Sequence, residues 1–351
     1  MEDTDVILLW GSNARETHPI FFHHLLTGVR NGARLYGIDP RRTSSVRWAD
    51  VWAGLDVGTD IALANAMGRE IIAAGLESKQ FVENATTGFD LYRIGVEPYT
   101  LEHAAQVTGV PPDVVRDMAH AYATADKAII CWTLGITEHH NAVDNVLALI
   151  NLSILTGHVG RYGSGLNPVR GQNNVQGGGD MGALPDRLPG FQHVENAEFR
   201  AKFEKHWGAT IPPVKGWHIT GMFEAMERGD LDALYVIGKN PLQSEADQTQ
   251  TRRLLEGLDF MVVQDIFLTK TAELADVVLP AAAAWCETDG TVTSSERRVQ
   301  RVRKALIPRG RARDDVAILF DMARRMGHDW GTPDGKPYGM KYGFSVPLTP
   351  E

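Results

Sequence analysis

The feature that most constrains this chain is a pattern written twice. Residues 5–10 (DVILLW) form a short apolar run, broken by GSNARETHP. A helix opening at Pro19 is expected over 19–31, and 33–38 (ARLYGI) reads as a second strand ended by Asp39 and Pro40. Two hundred residues later the order returns. ALYVI (233–237) runs into GKNPLQSEAD, a helix is expected near 246–257, and FMVVQ (260–264) ends in Asp265. LLWGSN answers YVIGKN, and YGIDP answers VVQDI. From Gly11 to Asp39 is about 28 positions and from Gly238 to Asp265 about 27, the size of one βα turn with its return strand. Strand, glycine loop, helix, strand is the unit of a doubly wound parallel sheet. Two of them point to two similar nucleotide-type sites.

The chemistry of such positions is general. A loop at the carboxyl end of a strand, opening a helix, turns free backbone N–H groups toward an anion. Gly11 and Gly238 allow close backbone approach. Asp39 and Asp265 are placed to accept from ribose hydroxyls or a guanine edge. The competing reading is a pair of βαβ units with empty ends. G-x-G-x-x-G is absent from both turns, which disfavours an NAD site.

Further helices are expected at 60–75, 100–108, 112–124 and 142–156, and a strand at 127–132. The stretch 160–192 is dense in Gly, Asn, Gln and Pro and is expected to be neither regular helix nor strand pair. Without charge blocks or repetition, it reads as an ordered, ligand-facing loop. Within it Arg170 stands among the amides Gln172, Asn173, Asn174 and Gln176; its planar fork suits a small carboxylate, or else the loop's own carbonyls. The expected division is 1–165, 166–328, and a tail 329–351 of unassigned structure.

A net charge of −9 over 351 residues disfavours a general nucleic-acid binder. No apolar run approaches a bilayer span, and no signal peptide is visible at the amino end. The two cysteines, Cys131 and Cys286, build neither a disulfide framework nor a four-thiolate cluster, so a reducing, cytoplasmic setting is expected. His18 reads as a phosphate contact or a structural histidine. His139 and His140 open a helix, where capping is the plainer reading, and His158 is open between the two. Cys131 reads as a core thiol. RRVQRVRK (297–304) has the alternation of a strand face, either solvated or covering phosphates.

Several segments together resemble a known family. LNPVRGQNNVQGGGDMGALPDRLPGF at 166–191 is similar, over more than twenty consecutive positions, to a segment of formate dehydrogenase large subunits that use bis-molybdopterin guanine dinucleotide. WGSNARETHPI, IDPRRT, IGKNPLQSEAD and the stretch from VVQDIFLTK to RRVQRVRKAL resemble further family segments in the same order, so the likeness runs from about residue 3 to 328. The resemblance implies two dinucleotide-binding α/β domains related by a pseudo-twofold, each holding one pterin guanine dinucleotide. It also implies molybdenum or tungsten held by their dithiolenes, and formate oxidised to carbon dioxide. Arg170 matches the family's active-site arginine and Gln172 its neighbour. Gly11, Asn13, His18, Asp39, Arg41, Gly238, Asn240, Asp247, Gln264, Asp265 and Glu287 fall at or near its cofactor-contact motifs.

The departures set further expectations. The family's cluster-binding cysteine domain, its metal-ligating Cys or Sec followed by His, and its closing β-rich domain have no match in these residues; Ser295 stands near where many relatives carry Asn. No metal ligand is therefore expected here, and a 4Fe–4S cluster only in a full-length protein. The remaining enzyme domains or an electron-transfer subunit are the expected partners, and formate oxidation by this chain alone is not expected. Apolar surface is expected around the cofactor cleft. A non-catalytic scaffold and another molybdopterin oxidoreductase are the alternatives.

Overall fold

The computed structural model describes residues 1–287, 289–294 and 298–328. The expectations for Ser295, Arg297 and the tail 329–351 lie outside the described residues. Two compact units divide at Gln172/Asn173.

The first unit is built on five parallel strands: β1 (Val6–Trp10), β2 (Arg34–Ile38), β3 (Val51–Ala53), β4 (Ala128–Trp132) and β5 (Gly165–Pro168), in spatial order β3-β2-β1-β4-β5. Between them run α1 (Ala14–Thr17), α2 (Pro19–Arg30), α3 (Asp60–Ala73), α4 (Lys79–Ala85), α5 (Phe89–Val96), α6 (Leu101–Thr108), α7 (Pro112–Thr124), α8 (Leu134–Thr137) and α9 (Ala142–Leu155). The unbroken run VILLW is explained by burial on both sides. Val6, Leu8 and Trp10 face one cluster with residues of α3, α6, α7 and α9. Ile7 and Leu9 face another with Phe22, Leu25 and Leu26 of α2. Helices on both faces of a parallel sheet make this unit doubly wound, as expected. Cys131 lies buried in the second cluster, and burial pushes its thiol up to about 12.

The polar stretch departs from expectation. Its start, Gly165–Pro168, is strand β5, paired to β4 from Ile129↔Gly165 to Trp132↔Pro168. The boundary therefore falls after Gln172, beyond the expected 165/166, because β4 holds this segment in the first sheet. A short helix α10 (Val175–Asp180) and the antiparallel pair β6 (Arg187–Leu188) and β7 (Gln192–His193) follow, where neither was expected.

The second unit adds helices α11 (Ala197–Trp207) and α12 (Ile219–Arg228). Strand β8 (Ala233–Ile237), helices α13 (Pro241–Ser244) and α14 (Gln248–Glu256), and strands β9 (Phe260–Asp265) and β10 (Val277–Pro280) come next, and the three strands are parallel in order β10-β9-β8. Val236, Met261 and Val263 pack with Leu242 and Leu255, with Phe223 and Met226 of α12 against them. An antiparallel pair, β11 (Gly290–Thr293) and β12 (Val299–Val302), and α15 (Asp315–Arg325) complete it. Strand β12 carries the alternating basic run with all its described residues exposed, and Arg301 pairs with Asp289 at 2.8 Å.

Candidate functional site

In the first sheet the chain leaves β1 toward β2 on one side, while β4 lies on the other, so the carboxyl ends of β1 and β4 form the topological switch point. Gly11 ends β1 with φ +55°, a left-handed conformation that favours glycine. Its N–H donates to the Ile38 carbonyl at 2.8 Å, and its own carbonyl accepts from the Gly135 N–H at 3.1 Å and the Thr133 hydroxyl at 2.8 Å. The two loops touch backbone to backbone. A Cβ at Gly11 would lie 2.8 Å from the carbonyl carbon of Gly135.

A cleft of about 620 Å³ opens there. Its lining includes Gly11, Asn13, His18, Asp39, Arg41 and Gln172, which brings together six of the residues singled out from sequence. That volume falls in the usual range for small-molecule sites. Asp39 is buried, and its Oδ1 accepts from the Arg41 N–H at 2.8 Å. Asp60, also lining the cleft and buried, accepts from the Trp10 indole N–H at 2.7 Å. Burial raises both carboxyls above the ordinary range. No salt bridge is recorded to either, so two desolvated acceptors face a shared space. Exposed Val57 and Leu134 add apolar wall.

His18 follows α1 and connects this turn to the arginine loop. Its Nε2 donates to the Arg170 carbonyl at 2.5 Å and its Nδ1 accepts from the Thr17 hydroxyl at 2.8 Å, partners that define the tautomer. Arg170 is exposed, and its guanidinium makes no hydrogen bond or ion pair to the described residues. The reading in which it binds its own loop's carbonyls is thus not what the structure shows. Val169, Gly171 and Gln172 beside it line the cleft.

The second unit repeats the first turn bond for bond. Gly238 has φ +61° and donates to the Gln264 carbonyl at 2.9 Å. Asn240 Oδ1 accepts from the Thr271 hydroxyl at 2.7 Å, as Asn13 Oδ1 accepts from the Ser45 hydroxyl at 2.9 Å. The Leu242 N–H reaches the Thr271 hydroxyl as the Arg15 N–H reaches Ser45. Asp265 Oδ1 accepts from the Phe267 N–H at 3.1 Å, repeating the Asp39 turn. Asp276 receives the Met261 N–H at 2.7 Å as Asp50 receives that of Leu35 at 2.8 Å.

Other predicted positions serve the fold. Gln264 is buried, its amide shared between the Tyr235 hydroxyl and Asp315. Asp247 caps α14, accepting from the Gln250 N–H. Glu287 accepts from the Asp315 N–H at 3.1 Å; burial, with Asp315 and Asp314 nearby, pushes its carboxyl up to about 7. His158 is buried between the Tyr122 carbonyl and Arg161. His139, read as a cap, also lines the cleft and donates to the Gly135 carbonyl. Sequence reasoning missed Trp10, Asp60, Thr133 and Gly135. A signal existed for Asp60: an acidic first-turn residue straight after a Gly-Thr turn.

A parallel sheet with its cleft at the switch point and a duplicated turn defines the class, and the comparisons agree. The chain belongs to the molybdopterin oxidoreductase family, whose model matches residues 1–325. It is 42% identical over 329 residues to formate dehydrogenase H of Escherichia coli (strain K12), covering 93% of this chain and 46% of that protein. It is 42% identical over 328 residues to the F420-dependent formate dehydrogenase subunit alpha of Methanocaldococcus jannaschii, covering 93% and 48%. Among solved structures, acetylene hydratase from Pelobacter acetylenicus superposes with a TM-score of 0.72 at 25% identity, over 93% of this chain and 47% of that one. The chain spans about half the length of the relatives it matches. The last of these names a different reaction on the same fold, so the fold alone does not choose the chemistry.

Proposed function

We propose that this chain is the cofactor-holding centre of a formate dehydrogenase large subunit, with one molybdopterin guanine dinucleotide held by each unit. The observation that carries the reading is the switch-point cleft, with two buried carboxylates lacking any cationic partner and an unpaired arginine on its bordering loop. The residues fit the group. Gly11 admits close backbone approach, Asp39 and Asp60 accept from hydroxyl and N–H donors of a nucleoside, and Arg41 and the first-turn amides face phosphate. Gly238, Asn240 and Asp265 form the corresponding turn for a second dinucleotide.

When bound, the pterins supply a molybdenum or tungsten centre that accepts the two electrons released as formate becomes carbon dioxide and a proton. The chain's own part is binding and orientation. The Arg170 guanidinium grips the formate carboxylate bidentately, Gln172 flanks it, and His18 holds the loop by its backbone so that the side chain stays available. Cys131 is buried and protonated, so it offers no thiolate to a metal. The ligand thiolate or selenolate, the cluster and the electron-accepting subunit therefore come from elsewhere, in a cytoplasmic assembly. No helix among the described residues is long and apolar enough to cross a membrane.

Native mass spectrometry with metal analysis tests this. Bound pterin guanine dinucleotide is the expected result, with no formate-driven dye reduction by the chain alone. A chain purified natively and carrying no guanine nucleotide would instead be a scaffold, and formate-driven dye reduction by the chain alone would overturn the division of labour.

A further inference from the structure

The two units share a turn, yet one sheet is covered and the other is bare. Position by position, Val6–Trp10 of β1 answers Ala233–Ile237 of β8, and β2 answers β9. In the first unit Leu8, Trp10 and Tyr36 are fully buried beneath α3, α6, α7 and α9. Their counterparts in the second unit lie open. Ile237, in the place of Trp10, is 42% exposed, and Tyr235 and Val262 are half-buried. On the same face Phe260 is 47% and Val277 38% exposed. Among the described residues only the end of this face is covered, where Asp315 at the start of α15 meets Gln264. The opposite face is packed as in the first unit.

The edge tells the same story by an independent observation. β1 is paired on both sides, to β2 and to β4. β8 is paired to β9 alone and ends its sheet. The loop that follows β4 jams Gly135 against Gly11, whereas Gly238, in the same left-handed conformation, has nothing within 4 Å of where a Cβ would stand. Parallel sheets are stable when both faces are covered, and an open apolar edge is a template for another strand.

We propose that the free edge of β8 and the bare face beside it are the docking surface for a parallel β-strand, with its following loop and a covering helix, supplied by a further stretch of the same protein. The strand takes the place that β4 holds against β1, its loop closes over Gly238 as Gly135 closes over Gly11, and the helix covers Tyr235, Ile237 and Phe260. The source is the same polypeptide because relatives of this chain are about twice its length. The inference does not depend on formate chemistry.

Hydrogen exchange read by mass spectrometry tests it on the isolated 351-residue chain and on the protein purified natively from its source. In the isolated chain, β8 amides should exchange at least about tenfold faster than those of β1; in the native protein the two should match. Equal protection in the isolated chain, protection that grows with its concentration (a second copy), or fast β8 exchange in the native protein would each overturn the proposal. A second measurement does not require the isolated chain to fold. Ile237→Cys in the native protein, labelled with a short photo-crosslinker, should link to residues outside 1–351. Links confined to residues 1–351 or to another subunit would overturn it.

Discussion

Asn13 and Asn240 hold the same place in two copies of one turn, each with its side-chain oxygen accepting a hydroxyl from the loop after the next strand: Ser45 at 2.9 Å and Thr271 at 2.7 Å. Each amide oxygen braces the loop that carries the aspartate turn, so each is structural before it is functional. Asn13→Ala and Asn240→Ala should each destabilise their own unit by ~1–3 kcal/mol, the usual cost of leaving shielded partners unmade. Urea unfolding of each variant measures this, and a loss below about 0.5 kcal/mol would contradict the bracing role.

The two glycines should respond differently to one methyl group. Gly11→Ala meets both a left-handed backbone, costing ~1–2 kcal/mol, and the Gly135 backbone at 2.8 Å. Gly238→Ala meets only the first penalty. The expected order is a larger loss at Gly11, with the cleft distorted, readable as midpoint shifts in thermal unfolding. Equal losses would deny the contact between the loops.

Glu287 sets a pH dependence. Its folded carboxyl lies at about 7, above its unfolded value of 4.5, so the folded state binds the extra proton between the two. Stability should therefore fall as pH rises from about 4.5 through 7. Glu287→Gln keeps the acceptor for the Asp315 N–H and removes the titration. Its melting temperature should flatten across that window and exceed the parent's at pH 8.

Arg170 should be dispensable for folding and indispensable for formate. With an exposed, unpartnered guanidinium, Arg170→Ala should leave stability within ~0.5 kcal/mol. Formate oxidation by the complete, cofactor-loaded protein should fall by about a hundredfold or more. Parallel unfolding and dye-reduction assays separate the two effects.

The first sheet was legible because its strands are apolar without break and its helices open on clear signals, Pro19 and Pro112 among them. The repeat was legible in two glycines and two aspartates, and the structure extended it to Asn13/Asn240, Ser45/Thr271 and Asp50/Asp276. β5 was not legible: Gly, Leu, Asn and Pro carry no strand signal, and only pairing with β4, 36 residues away in register, makes them one. Asp60 looked like an ordinary helix start because its burial depends on the indole of Trp10, fifty positions earlier. Glu287 and Gln264 were placed by pattern near a ligand, whereas their hydrogen bonds run to Asp315, a partner that local sequence does not reveal.

The bond from His18 to the Arg170 carbonyl spans 152 positions, and this has a consequence in time. At ~5–20 residues per second on the ribosome, Arg170 is made roughly 8 to 30 seconds after His18. Until then β5 has no strand to offer β4, and the histidine has no carbonyl to hold. The first unit is thus fastened by its last residues, and the arginine loop takes its shape only on a scaffold already standing.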